Sequence, residues 1–306
     1  MKFSVFQLSR IGGREKNEDR MGYCYTKESG LFLLADGMGG HPDGEIAAAL
    51  ALESMSAYFQ QCATPRVVDP QQFMEEAILG AHRHVLAHAA KRGMLDTPRT
   101  TVVAVLVQDG KAIFGHCGDS RAYLVRNHEM VTRTRDHSYI EQQNAGIIKL
   151  EMLNRNILFT CLGSPTRPIF DVSDSLPLRQ GDKILLCSDG LWGPLEDEVI
   201  VLKLGLRPVA DAVPELVDLA MHKGGERCDN TTAIALEWES PNKGDSGGSN
   251  ISTDSIDDGV FATTIQGNFT DGELDSFDDM DDAAIERSIA EINEAIRRSA
   301  ERQKKD

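Results

Sequence analysis

Four aspartates stand where apolar runs stop. The run Leu31 to Ala35 closes on Asp36, AIFGHCG closes on Asp119, KILLCS closes on Asp189, and Asp229 leads directly into TTAIALEW. Each run is too short for a helix of its own and reads as a buried strand, which puts each carboxylate at a strand mouth. After Asp36 come Gly37, Met38, Gly39, Gly40 and His41, glycine-rich chain that permits close backbone approach to a ligand. If these ends converge, four carboxylates share one rim, and like charges at that density need protons or cations. An all-oxygen donor set selects magnesium, manganese or calcium over zinc. The competing reading is that aspartate simply favours strand ends and turns and that the four never meet.

Positioning these groups requires a particular order of elements. Residues 3–8, FSVFQL, form a first strand, and GGREKNEDR follows as a charged loop carrying Arg14, Glu18 and Asp19. Strands at 21–26 and 31–35 come next. Asp43 is placed to cap a helix whose Ile46, Ala47, Leu50, Met55, Tyr58 and Phe59 share one face. Asp69-Pro70-Gln71-Gln72 opens a second helix with a cap and an N1 proline, and Gly93 ends it. His82, His84 and His88 on that helix lack the acidic partner of a metal motif and read as surface residues. Strands at 101–107 and 112–115 turn at Asp109-Gly110, and strands at 121–126 and 129–132 turn at Asn127-His128. Residues 134–148 read as a helix-like insertion, and a further helix runs from Pro214 to Gly224-Gly225. The strands are nearly continuous apolar runs, so both faces are buried; the hairpins make the sheets mainly antiparallel. Two packed sheets with helices outside satisfy this pattern.

The chain has 306 residues, 41% hydrophobic and 26% charged, as in a globular protein. A net charge of −16 gives it no electrostatic reason to seek nucleic acid or anionic lipid. No window approaches 18 apolar residues, and MKFSVFQLSR lacks the pattern of a signal peptide. Six scattered cysteines without a C-x-x-C pair fit free thiols in a reducing cytoplasm.

Beyond residue 239 the composition changes. Residues 240–306 carry 16 Asp and Glu against 7 Lys and Arg. Residues 240–280 read as an acidic, disordered linker that opens with PNKGDSGGS. Val260, Phe261, Ala262 and Ile265 around Thr263-Thr264 interrupt it, either as a docking or phosphorylation motif or as a chance cluster. Residues 281–303 then form a helix with an acidic start and a basic end, suited to the helix dipole. Its Ile285, Ile289, Ile292 and Ile296 make one apolar stripe for a protein partner, a second copy or the body of this chain.

Six short motifs follow one another along the chain: R-E-K-N-E-D (14–19), LADGMGGH (34–41), GDSRAYL (118–124), RDHS (135–138), LLCSDGLWG (185–193) and DNTT (229–232). Together, over about residues 3–238, they resemble the metal-dependent serine/threonine protein phosphatases of the PP2C family, in its bacterial DGMGGH form. The resemblance implies an α+β fold, an α/β/β/α sandwich of two mainly antiparallel sheets flanked by helix pairs, with the metal site at one edge. It gives residues 1–239 as the phosphatase domain. It implies two manganese or magnesium ions, with a third in many bacterial members. Asp36 would bridge two ions, with Asp189 and Asp229 on the first. The Gly37 carbonyl would hold the second, with Glu18 and Asp19 around it, and Asp119 with Asp189 would hold the third. Arg14 matches the phosphate-binding arginine.

That inventory suits hydrolysis of phosphoserine and phosphothreonine esters. Two metals acidify a bridging water and so supply hydroxide at neutral pH, and they neutralise the phosphate. A guanidinium grips two phosphate oxygens at once, which lysine cannot. His41 is open to two roles, protonating the leaving alkoxide or shaping the loop. The family's M-G-T-T is Pro98-Arg99-Thr100-Thr101 here, its L-T-R-A-L-G is Leu158-Phe159-Thr160-Cys161-Leu162-Gly163, and the flap between His137 and Gly163 is a few residues short. The expected protein is therefore a cytoplasmic phosphatase of phosphorylated proteins, opposing a Ser/Thr kinase. The alternatives are a phosphatase dedicated to one regulatory partner and a catalytically dead phosphoprotein-binding module.

Overall fold

The computed structural model describes residues 1–138, 158–239, 249–253 and 260–265. In chain order the elements are β1 (Lys2–Arg10), β2 (Arg20–Tyr25), β3 (Ser29–Ala35), α1 (Gly44–Cys62), α2 (Pro70–Lys91), β4 (Val102–Gln108), β5 (Lys111–Cys117), β6 (Arg121–Arg126) and β7 (Glu129–Arg133). They continue as β8 (Asp171–Val172), β9 (Leu176–Pro177), β10 (Lys183–Cys187), α3 (Asp189–Trp192), α4 (Asp197–Leu206), α5 (Val209–Gly224), β11 (Thr231–Trp238), β12 (Ser249–Ser252) and β13 (Ala262–Thr263). One sheet has the order β12-β1-β11-β10-β6-β7, the other β13-β2-β3-β4-β5-β8, and β9 also pairs with β5. The strand pairings are antiparallel.

The apolar runs are explained by three layers of core. Along β3, Leu31, Leu33 and Ala35 pack under α1 and α2, while Phe32 and Leu34 point between the sheets. Along β11, Ala233 and Ala235 meet α4 and α5, while Ile234 and Leu236 enter the inter-sheet layer. A period of two therefore separates the two faces, and both faces are dry, so the sequence carries no alternation. The result is the helix–sheet–sheet–helix sandwich expected above.

The turn chemistry follows the residues. Asp109 and Gly110 take φ of 53° and 67°, and Asn127 and His128 take 49° and 68°, the left-handed pairs that two-residue hairpins need. The Asp69 side chain accepts from the amides of Gln71 and Gln72, with Pro70 first in α2. Asp43 differs from expectation: it precedes α1 in a left-handed conformation (φ 54°) and makes no side-chain cap. The last long helix begins at Val209, five residues before Pro214, because the stripe Val209, Ala212, Val213, Leu216, Val217 and Ala220 runs through the proline. His82 is buried at 5% exposure, where the sequence suggested a surface residue; its Nδ1 accepts from the Gly163 amide.

The expectation of a disordered 240–280 meets two exceptions. Ser249–Ser252 joins the edge of β1, and Ala262–Thr263 joins the edge of β2. Both cover open strand edges, and Ile265 fills a core position at 7% exposure, which is what orders so polar a stretch. The helix expected at 281–303 and most of the flap, 139–157, lie outside the described residues.

Candidate active site

The strand ends meet at one end of the sandwich around a cleft of about 530 Å³. Asp36 reaches it from the end of β3, Asp119 from the turn between β5 and β6, Asp189 from the start of α3 after β10, and Asp229 from the approach to β11. Both sheets thus contribute, and the four aspartates do share one rim. Arg14 and Glu18 line the same cleft from the β1–β2 loop, with Gly37 beside them. Asp19 and His41 are not among its lining residues.

The backbone geometry that allows this is tight. A Cβ on Gly37 would lie 2.5 Å from the Gly44 carbonyl and 2.8 Å from the Glu18 carbonyl oxygen. One on Gly190 would lie 2.1 Å from the Asn230 carbonyl oxygen. These two glycines let the Asp36 and Asp189 loops close on their neighbours.

Several residues without a role in the sequence reading hold the site together. The Asp36 carbonyl accepts from the Thr101 amide at 2.9 Å and from Thr100 Oγ1 at 2.8 Å, and the Asp36 amide donates to Thr101 Oγ1 at 3.1 Å. These are the two threonines kept where Pro98-Arg99 replaces the family's Met-Gly. Asn230 Oδ1 accepts from the Glu18 amide at 2.8 Å, and its Nδ2 donates to the carbonyls of Ile11 at 2.8 Å and Lys16 at 2.9 Å. One side chain thereby fixes the loop that carries Arg14 and Glu18. Ser188 Oγ donates to Asp19 Oδ2 at 2.8 Å, holding that buried carboxylate behind the cleft. Ser188 and Asn230 lie inside the LLCSDGLWG and DNTT motifs and Thr100 inside Pro98-Arg99-Thr100-Thr101, which is the signal the sequence offers. Leu158 also lines the cleft, and its apolar side chain carries no chemical mark.

The electrostatics are those of crowded acid. Burial, and then the neighbouring Asp19, Asp189, Asp119 and Asp229, hold the Asp36 carboxyl well above the ordinary range. Burial pushes Asp119 up to about 8, Asp19 to about 7 and Asp189 to about 6, each reinforced by a neighbouring aspartate. Glu18 is raised by burial and by Glu45. The hydrogen bond from Arg14 to Asp229 raises the guanidinium further. Asp19 Oδ1 is buried without a hydrogen-bond partner. Carboxylates and backbone carbonyls around the cleft, with one such oxygen unmatched, fit hard divalent cations. His41 is half-buried, its Nδ1 has no partner, and burial with the nearby Arg99 lowers its pKa.

A second cluster, His116, His137 and Asp171, brings potential ligand atoms within 4.8 Å of one another. The two imidazoles stack at 4.4 Å and 18°, so their in-plane lone pairs run side by side and do not converge on one ion. Their nitrogens are also engaged: His116 Nε2 donates to the Arg135 carbonyl, and His137 Nδ1 accepts from the Gly118 amide while Nε2 donates to Asp171. This is a hydrogen-bonded clamp at the base of the flap, where Ser138 bridges Leu158.

The family model for protein phosphatase 2C matches residues 7–215, more than half of the sequence. The chain belongs to the protein phosphatase 2C family. Its members are hydrolases, and this chain has the fold of that family. It is 29% identical to the serine/threonine phosphatase stp of Listeria monocytogenes, over 78% of this chain and 97% of that protein. Among solved structures it resembles the serine/threonine phosphatase PstP/Ppp of Mycobacterium tuberculosis, with 29% identity and a TM-score of 0.66 over 78% of this chain and all of the other. It also resembles the catalytic domain of PstP in complex with two manganese ions, with 29% identity and a TM-score of 0.63 over 78% of this chain and 99% of that one. Among the described residues no helix is long and apolar enough to cross a membrane.

Proposed function

We propose that this protein phosphatase 2C member hydrolyses phosphoserine and phosphothreonine esters of proteins, with manganese or magnesium as cofactor, in the cytoplasm and opposite a Ser/Thr kinase. The observation that carries the reading is the convergence of Asp36, Asp119, Asp189 and Asp229 in one cleft, where burial holds the Asp36, Asp119 and Asp189 carboxyls above the ordinary range. The manganese ions of the PstP structure support the choice of cation. Asp36, Asp189 and Asp229, with the Gly37 carbonyl, would hold two ions. Glu18 and Asp19 would support them, and Asp119 with Asp189 would hold a third. When bound, such cations acidify a water nucleophile and shield the phosphate from the carboxylates.

The chain's own residues do the rest. Arg14, at the cleft wall, grips the phosphate oxygens and sets the ester for in-line attack. Asn230 keeps the Arg14 loop in register. Thr100 and Thr101 fix the Asp36 backbone. His41 lies outside the cleft lining, and we assign it to the shape of the glycine loop, since its backbone amide donates to the Met38 carbonyl at 3.4 Å. The isoleucine stripe of residues 281–303 is assigned to a protein partner. The deciding experiment is hydrolysis of a phosphothreonine peptide with added manganese. Activity that EDTA abolishes supports the reading, and a protein that binds the phosphopeptide without ever releasing phosphate overturns it.

A further inference from the structure

The two threonines at 263 and 264 have no part in the cleft, yet the strand that bears them is docked into the body of the protein. Ile265 is buried against the core under α1 and α2. Its place exists because β2 carries Gly22 at that point: a Cβ there would come within 2.6 Å of Ile265 Cγ1. A glycine inside a strand marks close approach by another segment. Phe261 adds a tilted ring contact with Phe59 at 6.2 Å. Upstream, the Thr253 hydroxyl receives a hydrogen bond from the Met1 ammonium at 2.5 Å and donates to the Lys27 carbonyl at 2.6 Å. The segment is therefore a strap, anchored at Thr253 and clipped to β2 by two paired residues and Ile265.

The two hydroxyls are used differently. Thr264 Oγ1 faces the partner strand, 3.0 Å from the Tyr23 amide and 3.3 Å from the Tyr23 carbonyl oxygen, and the Thr264 amide donates to that carbonyl at 2.9 Å. Thr263 Oγ1 instead accepts from the Ile265 amide within the strap, at 2.9 Å. Both residues are exposed.

We propose that phosphorylation of Thr264 unclips the strap from β2. A Ser/Thr kinase would transfer the γ-phosphoryl group of a nucleoside triphosphate. The Oγ1–phosphorus bond forms, the β–γ anhydride bond breaks, the hydroxyl proton passes to the kinase's base, and the nucleoside diphosphate leaves. The esterified Oγ1 no longer has a proton for the Tyr23 carbonyl, and a near-dianion is forced against that oxygen. No cation on β2 is placed to receive it, because Arg20 already donates to the carbonyls of Asn17 and Asp19. A phosphate on Thr263 keeps its acceptor for the Ile265 amide and projects to solvent, so the strap stays docked.

The test uses full-length protein with phosphothreonine genetically encoded at 264 or at 263, held in EDTA so that the ester survives. Hydrogen exchange is read at the Tyr23 and Thr264 amides, with Ile265→Asp as the undocked reference. Phosphothreonine at 264 is expected to speed exchange at both amides at least tenfold, to the Ile265→Asp level, while phosphothreonine at 263 leaves them protected. Unchanged protection with phosphothreonine 264 overturns the proposal. So does an equal loss with both modified chains, which would report charge alone. Unaltered exchange in Ile265→Asp would show that the strap is not docked in solution, and the proposal would fall with it.

Discussion

Arg14 Nη2 donates to Asp229 Oδ2 at 2.6 Å, and this pair forms one wall of the catalytic cleft. The guanidinium is half exposed, so its partner is held without being sealed from water. An exposed ion pair adds little to stability, so the phosphate contact proposed for Arg14 can be tested apart from folding. Arg14→Ala is expected to raise KM for an aryl phosphate and a phosphothreonine peptide about tenfold, corresponding to ~1.4 kcal/mol of lost binding, with kcat changed far less. Arg14→Lys restores only part, because a single ammonium cannot match the fork. An unchanged KM for both substrates would remove Arg14 from the site.

Asp36 and Asp189 stand at the centre of the cleft, and substitution there should abolish activity. Asp36→Asn or Asp189→Asn is expected to lower kcat by several orders of magnitude, because in the proposed site these carboxylates would hold the cations that acidify the attacking water. Four buried thiols, by contrast, resist alkylation. Burial lifts the Cys24 and Cys117 thiols to about 12 and Cys161 to about 11, and Cys187 also lies far above a reactive range. Full activity in either aspartate variant, measured on the aryl phosphate, would contradict the assignment.

The same carboxylates give the metal-free protein a pH dependence of known sign. Asp189, Asp19 and Asp119 titrate near 6, 7 and 8 in the folded chain, above the unfolded value of about 4. The folded state therefore holds protons that the unfolded state releases, and stability falls as pH rises from about 4 through 8. In EDTA, Tm should drop steadily from pH 5 to pH 8.5. Added manganese should raise Tm more at pH 8 than at pH 5.5, because ionised carboxylates are the ligands. A flat EDTA profile would mean that these groups are not buried and crowded together in solution.

Asn230 offers a different readout, since it binds loop backbone at three points. Asn230→Ala removes three hydrogen bonds and leaves the Ile11 and Lys16 carbonyls and the Glu18 amide without that partner. The expected loss is about 2–4 kcal/mol of stability, together with a rise in KM like that of Arg14→Ala. Asn230→Asp keeps the acceptor for Glu18 but sets a carboxylate oxygen against the Ile11 and Lys16 carbonyls, so it should lose at least as much as the alanine variant. An unaltered KM in the alanine variant would show that the Arg14 loop holds itself.

Much of this architecture was legible because strand ends and turns leave local marks. Asp-Gly and Asn-His announced both hairpins, and apolar runs ending in aspartate announced the rim. What stayed hidden depends on contacts between distant segments. Nothing local to the polar stretch 249–253 signals that Thr253 will meet Met1, and Gly22 reads as an ordinary strand residue until Ile265 is seen beside it. His82 reads as a surface residue for the same reason: its neighbour Gly163 is far along the chain. Asp43 shows the opposite failure, a residue suited to capping whose backbone conformation serves the turn before α1 instead.

The strap also revises what truncation should do. A chain ending at Ser240 keeps every described residue that lines the cleft, from Gly13 to Asn230. It loses β12, β13 and the buried Ile265, whose side chain alone contributes about 1.5–3 kcal/mol when fully buried. It also uncovers the outer edges of β1 and β2, two open strands able to pair with other chains. The truncated protein is therefore expected to hydrolyse a small aryl phosphate with kcat within about twofold of the full chain, to melt at a lower temperature, and to aggregate sooner on heating. Gly22→Val in the full chain should reproduce part of the Tm loss by evicting Ile265, with the aryl phosphatase rate kept. Loss of that rate in the truncated chain, at a temperature where its circular dichroism remains native, would place the strap inside the catalytic machinery.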